Sequence, residues 1–155
     1  MIAGDVAALR RVLQVRPAAA VGLEYFHALA QSFAEACDMR FGVLGRVVGG
    51  GAVDALAFWT GDRFGEPFRY DLRGTPCSDI VTRRDVCQFG RAVADMFPQD
   101  EFLRQEKIES YVGVPLYGAG GDVLGVLAAC DSRPRPEIEG LATCVEPFAE
   151  RAVWL

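Results

Sequence analysis

The chain has 155 residues, the size of one domain, and its 51% hydrophobic and 24% charged composition is that of a folded globular protein. A formal net charge of −5 argues against non-specific attraction to nucleic-acid phosphates. No apolar run approaches the roughly eighteen residues of a membrane span, and the amino end lacks a signal-peptide pattern, so a cytoplasmic protein without a membrane partner is expected.

In chain order, Val6, Leu9, Val12 and Leu13 recur at helical spacing, which predicts a short helix from Gly4 to Val15, interrupted at Pro17. A stronger helical face follows in Phe26, Leu29, Ala30, Phe33 and Cys37, ending near Ala36. Two apolar, β-branched runs, Phe41 to Val48 and Val53 to Thr60, flank Gly49, Gly50 and Gly51, residues that readily adopt positive φ, and read as a hairpin. A third strand is predicted at Phe68 to Leu72, closed by Gly74, Thr75 and Pro76. Residues 77–107 are more loosely patterned, with short helices expected near Ser78 to Thr82, Gly90 to Met96 and Asp100 to Lys107.

The clearest sheet signal is a second hairpin, Ser110 to Tyr117 and Val123 to Cys130, around Gly118, Gly120 and Gly121. Val112, Val114 and Leu116 share one face of its first strand. Its second strand is apolar or small on both faces, so both sides of the sheet need cover. A final helical pattern, Ile138, Leu141, Ala142, Val145, Ala149 and Ala152, is interrupted by Pro147 and reaches Leu155 without a cap, which leads us to expect that the natural protein continues. Together these elements describe an antiparallel sheet with terminal helices on one face and the middle segment on the other, where a pocket is a natural outcome.

Several blocks carry a family resemblance. The stretch Tyr70-Asp71-Leu72-Arg73-Gly74-Thr75-Pro76-Cys77 followed by Asp85-Val86-Cys87 resembles the middle of GAF domains of bacterial sensor kinases and related signalling proteins. Phe97-Pro98-Gln99-Asp100 with Leu103, then Glu109 to Leu116, then Gly121 to Leu127 through Asp131, resemble that family's later blocks in the same order. The resemblance implies an α/β (α+β) GAF-like fold over 21–155, preceded by a helix and linker over 1–20. It further implies a central six-stranded antiparallel sheet, a terminal helix pair that forms a homodimer, and a pocket roofed by the middle segment. The function it implies is non-catalytic: a sensory domain that binds a small molecule and controls an attached output domain such as a histidine kinase.

No particular ligand or cofactor follows. The Asn-Lys-Phe-Asp-Glu set of cyclic-nucleotide-binding relatives is not found in order, and Cys77 and Cys87 are followed by Ser78 and Gln88 where bilin-binding relatives have histidine. The one histidine, His27, sits in the amino-terminal helix, away from the expected pocket, and is assigned neither a haem nor a catalytic role. If the middle segment covers the sheet, Cys77, Val81, Phe89, Val93, Phe97, Leu103 and Tyr111 should line the space between them, suiting a small hydrophobic or aromatic ligand or simply a filled core.

Cys37, Cys77, Cys87, Cys130 and Cys144 include no C-x-x-C pair and read as free thiols. Cys77 and Cys87, ten residues apart, support an alternative: the small GAF-type free-methionine-sulfoxide reductases use cysteines in this part of the fold, and a thiol redox sensor could do the same. Such an enzyme also needs a nucleophilic thiolate where this chain has Asp100, Phe102 and Leu103. Gly118-Ala119-Gly120-Gly121 joins two strands and reads as a turn, not a phosphate loop. Arg83, Arg84 and Asp85 read as a solvated loop, and Asp131 as a turn acceptor ahead of Pro134.

Overall fold

A computed structural model describes residues 23–118 and 120–141. The helix expected over 4–15, Cys144 and the carboxyl-terminal pattern beyond Leu141 lie outside the described residues.

Helix α1 (Leu23–Ala36) buries Tyr25, Leu29, Ala30, Phe33, Ala34 and Ala36, the stripe expected of an amphipathic helix on a sheet, with Phe26 half-buried beside it. It ends in a Schellman arrangement: Asp38 adopts a left-handed φ of 53°, and the Met39 amide donates to the Ala34 carbonyl at 2.9 Å. The sheet has strands β1 (Phe41–Val48), β2 (Ala52–Trp59), β3 (Phe68–Asp71), β4 (Cys87–Phe89), β5 (Ser110–Tyr117) and β6 (Val123–Asp131). All pairings are antiparallel, in the order β3-β2-β1-β6-β5-β4. Both hairpins form where the sequence places them, and Gly50 and Gly51 take φ of 87° and 80° in the first turn. Strand β4, three residues long on the sheet edge, is too short to show a period of two in the sequence.

Between β3 and β5 run three short helices, α2 (Pro76–Arg83), α3 (Val93–Met96) and α4 (Glu101–Gln105), and a 3₁₀ turn (Pro136–Leu141) follows β6. Proline at the first position of α2 costs no hydrogen bond there, and the Asp100 side chain accepts from the Leu103 amide at 3.1 Å to cap α4.

The sheet separates two cores. Against α1 pack Leu44, Ala57, Val112, Val114, Leu116, Leu127 and Ala129, joined by Ile138 of the 3₁₀ turn. Phe41, Val53, Tyr111, Val126, Ala128 and Cys130 face the other way, against Cys77, Ile80, Val93, Leu103 and Ile108 of the middle segment. A bulge in the β1–β2 pairing, where Leu44 opposes Ala57 but Gly45 opposes Ala55, leaves Leu56 as an extra residue. It inverts the alternation of β2, so that Val53 and Phe58 share a face although they are an odd number of residues apart.

Two contacts fix α1 on the sheet. At Gly42, a Cβ would stand 2.2 Å from the Ala30 carbonyl oxygen, so only glycine lets the helix backbone come this close. At the carboxyl end of α1, Arg135 is nearly buried and donates to the Cys37 and Asp38 carbonyls at 3.0 and 2.6 Å, placing a cation on the negative end of the helix dipole. Asp131 joins the same assembly: one oxygen accepts from the Arg40 amide at 3.0 Å, the other from the Arg133 amide at 2.9 Å, and Arg133 Nη2 lies 3.0 Å away. Asp131 is thus the turn acceptor ahead of Pro134, and in addition a link from β6 to the start of β1.

Gly42→Ala should cost about 3 kcal/mol or more, because the obstruction is helix backbone that no rotamer change relieves; urea denaturation should show a lower midpoint with an unchanged slope. Asp131 gives an acid-side prediction. Burial pushes its carboxyl up, but the Arg133 side-chain and backbone hydrogen bonds outweigh this and hold it below the ordinary value. A depressed carboxyl contributes stability that is present above its unfolded pKa, about 3.9, and disappears as pH falls through the lower folded value. Asp131→Asn should therefore be less stable than the parent at pH 7, with the gap closing as pH falls below about 4.

Candidate functional site

The middle segment does not fill the space it covers. Between it and the sheet lies a cavity of about 330 Å³. Its floor is Phe41, Val43, Phe58, Tyr111, Ala128 and Cys130 of the sheet, its side wall Phe68 and Tyr70 of β3, and its roof the amino-terminal ends of α2 (Thr75, Pro76, Cys77) and α4 (Glu101, Phe102, Leu103). Asp71, Arg73, Gln99 and Glu101 are exposed around it, and Asp100 is half-buried. Phe102 stands edge-on to both Phe41 and Phe58, at 5.1 and 5.7 Å between ring centroids, and Phe68 edge-on to Phe58 at 5.5 Å.

Of the residues expected to line this space, Cys77, Leu103 and Tyr111 do. Val81, Phe89, Val93 and Phe97 belong to the same apolar cluster but lie outside the cavity wall. The reason is Gly113 of β5, where a Cβ would stand 2.4 Å from Ile80 Cδ1. Lacking one, β5 lets Ile80 settle against the sheet, and Ile80 is fully buried. The roof is therefore closed over β4 and over β5 at Gly113, with Phe89 packed edge-on to Phe97 at 5.5 Å, and open over β1, β2, β3, β6 and Tyr111 of β5.

The periodicity did not single out Phe41, Phe58, Phe68, Tyr70, Phe102 or Cys130. For Phe58 the signal was concealed by the bulge at Leu56, and for Phe68 and Tyr70 only the pairing of β3 on the sheet edge decides what they face.

Two hydroxyls and a thiol of the cavity wall form a chain. The Tyr70 and Tyr111 hydroxyls each lie 3.2 Å from Cys77 Sγ, with either atom able to donate. Burial pushes both phenols well above their ordinary pKa, and the neighbouring Cys77 adds to it. Burial also raises the Cys77 thiol, against the opposing effect of the two tyrosine hydrogen bonds, and raises Cys130 strongly, with Asp100 next in effect. The Asp100 carboxyl is itself pushed up by burial, offset in part by the Leu103 and Phe102 amides. The wall is thus apolar and aromatic, lined by neutral hydroxyls and thiols, with a carboxyl at one side.

Cys87 has different surroundings. Burial raises its thiol, Asp79 adds to this, and Arg83 opposes it, whereas Tyr111, Tyr70 and Asp100 surround Cys77. Cys77, Cys87 and Cys130 are free thiols and buried, and Cys37 is buried as well. Among the described residues no three His, Cys, Asp or Glu side chains gather in a metal-binding arrangement.

The remaining sequence candidates lie elsewhere. His27 stacks on Phe64 at 4.1 Å, and neither lines the cavity. Arg83, Arg84 and Asp85 are exposed, and Arg84 is tied to the second hairpin by the Tyr117 hydroxyl, which donates to its carbonyl at 2.8 Å. The Gly118 to Gly121 stretch is a turn, with the Gly121 amide donating to the Gly118 carbonyl at 3.0 Å.

A six-stranded antiparallel sheet in this order, with a helix on one face and short helices roofing an aromatic cavity on the other, defines an α+β domain of the GAF type. The family model for the GAF domain matches residues 24–145, and the chain belongs to that family, whose members are known as sensory and regulatory domains that bind small molecules. Among solved structures, a GAF protein of Burkholderia vietnamiensis superposes with a TM-score of 0.76 at 15% identity, covering 99% of this chain and 94% of that one. The phycocyanobilin-bound GAF domain of a cyanobacterial phytochrome gives 0.71 at 14% identity, covering 96% and 91%. The free methionine-R-sulfoxide reductase of Neisseria meningitidis, in complex with its substrate, gives 0.64 at 18% identity, covering 97% and 91%. No curated protein matches the chain by sequence. No helix among the described residues is long and apolar enough to cross a membrane.

Because the thiolate is the reactive form, the raised thiols of Cys77, Cys87 and Cys130 should make these three cysteines slow to alkylate. In the folded protein at pH 7.5, iodoacetamide should modify them at least about tenfold more slowly than in 8 M urea, as read by intact mass.

Proposed function

We propose that this domain is a non-catalytic sensory module that binds a small, largely apolar or aromatic molecule in the cavity between sheet and roof. Binding there shifts the packing of the roof and of α1, and the shift passes to an attached output domain such as a histidine kinase. The coupling this needs is on the order of 1–3 kcal/mol, within reach of a few buried contacts. In the same reading the domain acts in the cytoplasm as a homodimer joined through its terminal helices. The observation that carries the proposal is the cavity itself. At about 330 Å³ it is at the small end of ligand pockets, and at roughly 30 Å³ for each water-sized group it admits on the order of ten non-hydrogen atoms.

The reductase reading rests on the ten-residue spacing of Cys77 and Cys87. Two observations favour the sensor. Burial holds both thiols in their protonated, poorly nucleophilic form. The roof segment that in such an enzyme would supply the attacking thiolate here presents Asp100, Phe102 and Leu103.

A thermal-shift screen with small aromatic compounds should find ligands that raise the melting temperature in a concentration-dependent way. Val43→Phe, which projects a ring from β1 into the cavity, should abolish that response while the protein stays folded. A screen without a hit, or a response undiminished by Val43→Phe, would overturn the ligand reading. Turnover of free methionine sulfoxide that is lost in Cys87→Ser would establish the enzyme in its place.

A further inference from the structure

The charges around the cavity narrow the chemistry of its ligand, an inference that rests on the ligand-binding reading above. Three of the charged residues that line it, Asp71, Asp100 and Glu101, are acidic, and Arg73 is basic. Their placement differs. Asp100 is half-buried and acts electrostatically on Tyr70, Cys77 and Cys130 of the wall, whereas Asp71, Arg73 and Glu101 are exposed. The half-buried charged group of the wall is therefore a carboxyl, and the four charged residues together carry a net negative balance.

Aromatic side chains supply much of the rest of the wall: Phe102 and Phe68 pack edge-on to Phe58 at interplanar angles of 81° and 82°, and a ring face left uncovered by these contacts attracts a cation. The cluster already attracts one cation: Arg40, outside the cavity wall, holds its guanidinium 4.6 Å over the Phe41 ring. The oxygens of Tyr70 and Tyr111 and the sulfurs of Cys77 and Cys130 can all accept a hydrogen bond from an N–H group. An anionic ligand would meet the half-buried Asp100 carboxylate, with the exposed Arg73 as the one cation of the wall, and a neutral one would leave that carboxylate with only its backbone donors. A ligand carrying a positive charge meets a wall whose charged residues are acidic in three cases of four.

We propose that the cavity binds a small organic cation, an ammonium compound with an aromatic or alkyl body, its body against Phe58 and Phe102 and its charged nitrogen toward Asp100 and Tyr70. Calorimetry on the purified chain at pH 7 with three probes of one shape tests this: 3-phenylpropylammonium, 3-phenylpropan-1-ol and 3-phenylpropanoate. The ammonium compound should bind about tenfold tighter than the alcohol, with the carboxylate weakest. Asp100→Asn keeps a residue that caps α4 and should weaken the ammonium compound about tenfold while leaving the alcohol unchanged. Phe58→Leu keeps an apolar wall but removes a ring face, and should lower the ammonium-to-alcohol affinity ratio, a result that does not depend on the Asp100 variant folding. Equal or tighter binding of the alcohol or the carboxylate would overturn the cation assignment and leave a ligand-binding cavity in place. Ammonium affinity unchanged in both variants would do the same. Failure of all three probes to bind would overturn the cation assignment, and the screen above would then decide whether the cavity takes a ligand at all.

Discussion

A sheet that is apolar on both faces is the constraint from which the rest of this domain follows. Strands β5 and β6 lie in the sheet with nearly every side chain buried, so neither face can be left to water. Among the described residues, one face is covered by a long helix, seated at the depth that the bare backbone of Gly42 permits, and on the other three short helices share the task. Cover assembled from short pieces leaves a gap, and that gap is the cavity.

Where the gap falls is decided by a few local features. Ile80 rests over Gly113 and closes one half of the roof. In the other half, the amino-terminal ends of α2 and α4 touch the floor through Cys77 and Phe102 and leave the space between them open. The two ends are held near each other where Gly74, at φ 81°, leaves room for the Gln99 side chain, whose oxygen lies 2.8 Å from where a Cβ would be. The bulge at Leu56 then turns Phe58 into the same space. The result is a concavity walled by aromatic rings, rigid because those rings pack on one another edge to face.

Burial also sets the chemistry available there. Phenols, thiols and the Asp100 carboxyl are all pushed toward their neutral forms, which suits recognition by shape, by aromatic faces and by hydrogen bonds more than attack by a thiolate. Elsewhere, Asp131 and Arg133 hold each other ionised, Arg135 donates to the last carbonyls of α1, and the three pin the end of α1 to the last strand. That ion-pair network is structural, whereas the cavity sets neutral phenols and thiols beside the Asp100 carboxyl.

The sequence by itself determined the elements whose periods are long enough to read. The helix of Leu29 and Phe33, both glycine-centred hairpins, the double-faced burial of Val123 to Cys130 and the blocks shared with the GAF family are all local patterns. They sufficed for the fold and for the expectation that residues 77–107 cover the sheet. They did not suffice for the cavity wall. Strand β4 is too short to have a period, and the bulge at Leu56 breaks the alternation that would have pointed Phe58 inward. The split between the residues that line the space, such as Cys77 and Tyr111, and those packed beside it, such as Phe89 and Val93, depends on Ile80 meeting Gly113 across the interior. Local pattern states that a side chain is buried; only contacts between distant segments decide whether it is buried against protein or against open space.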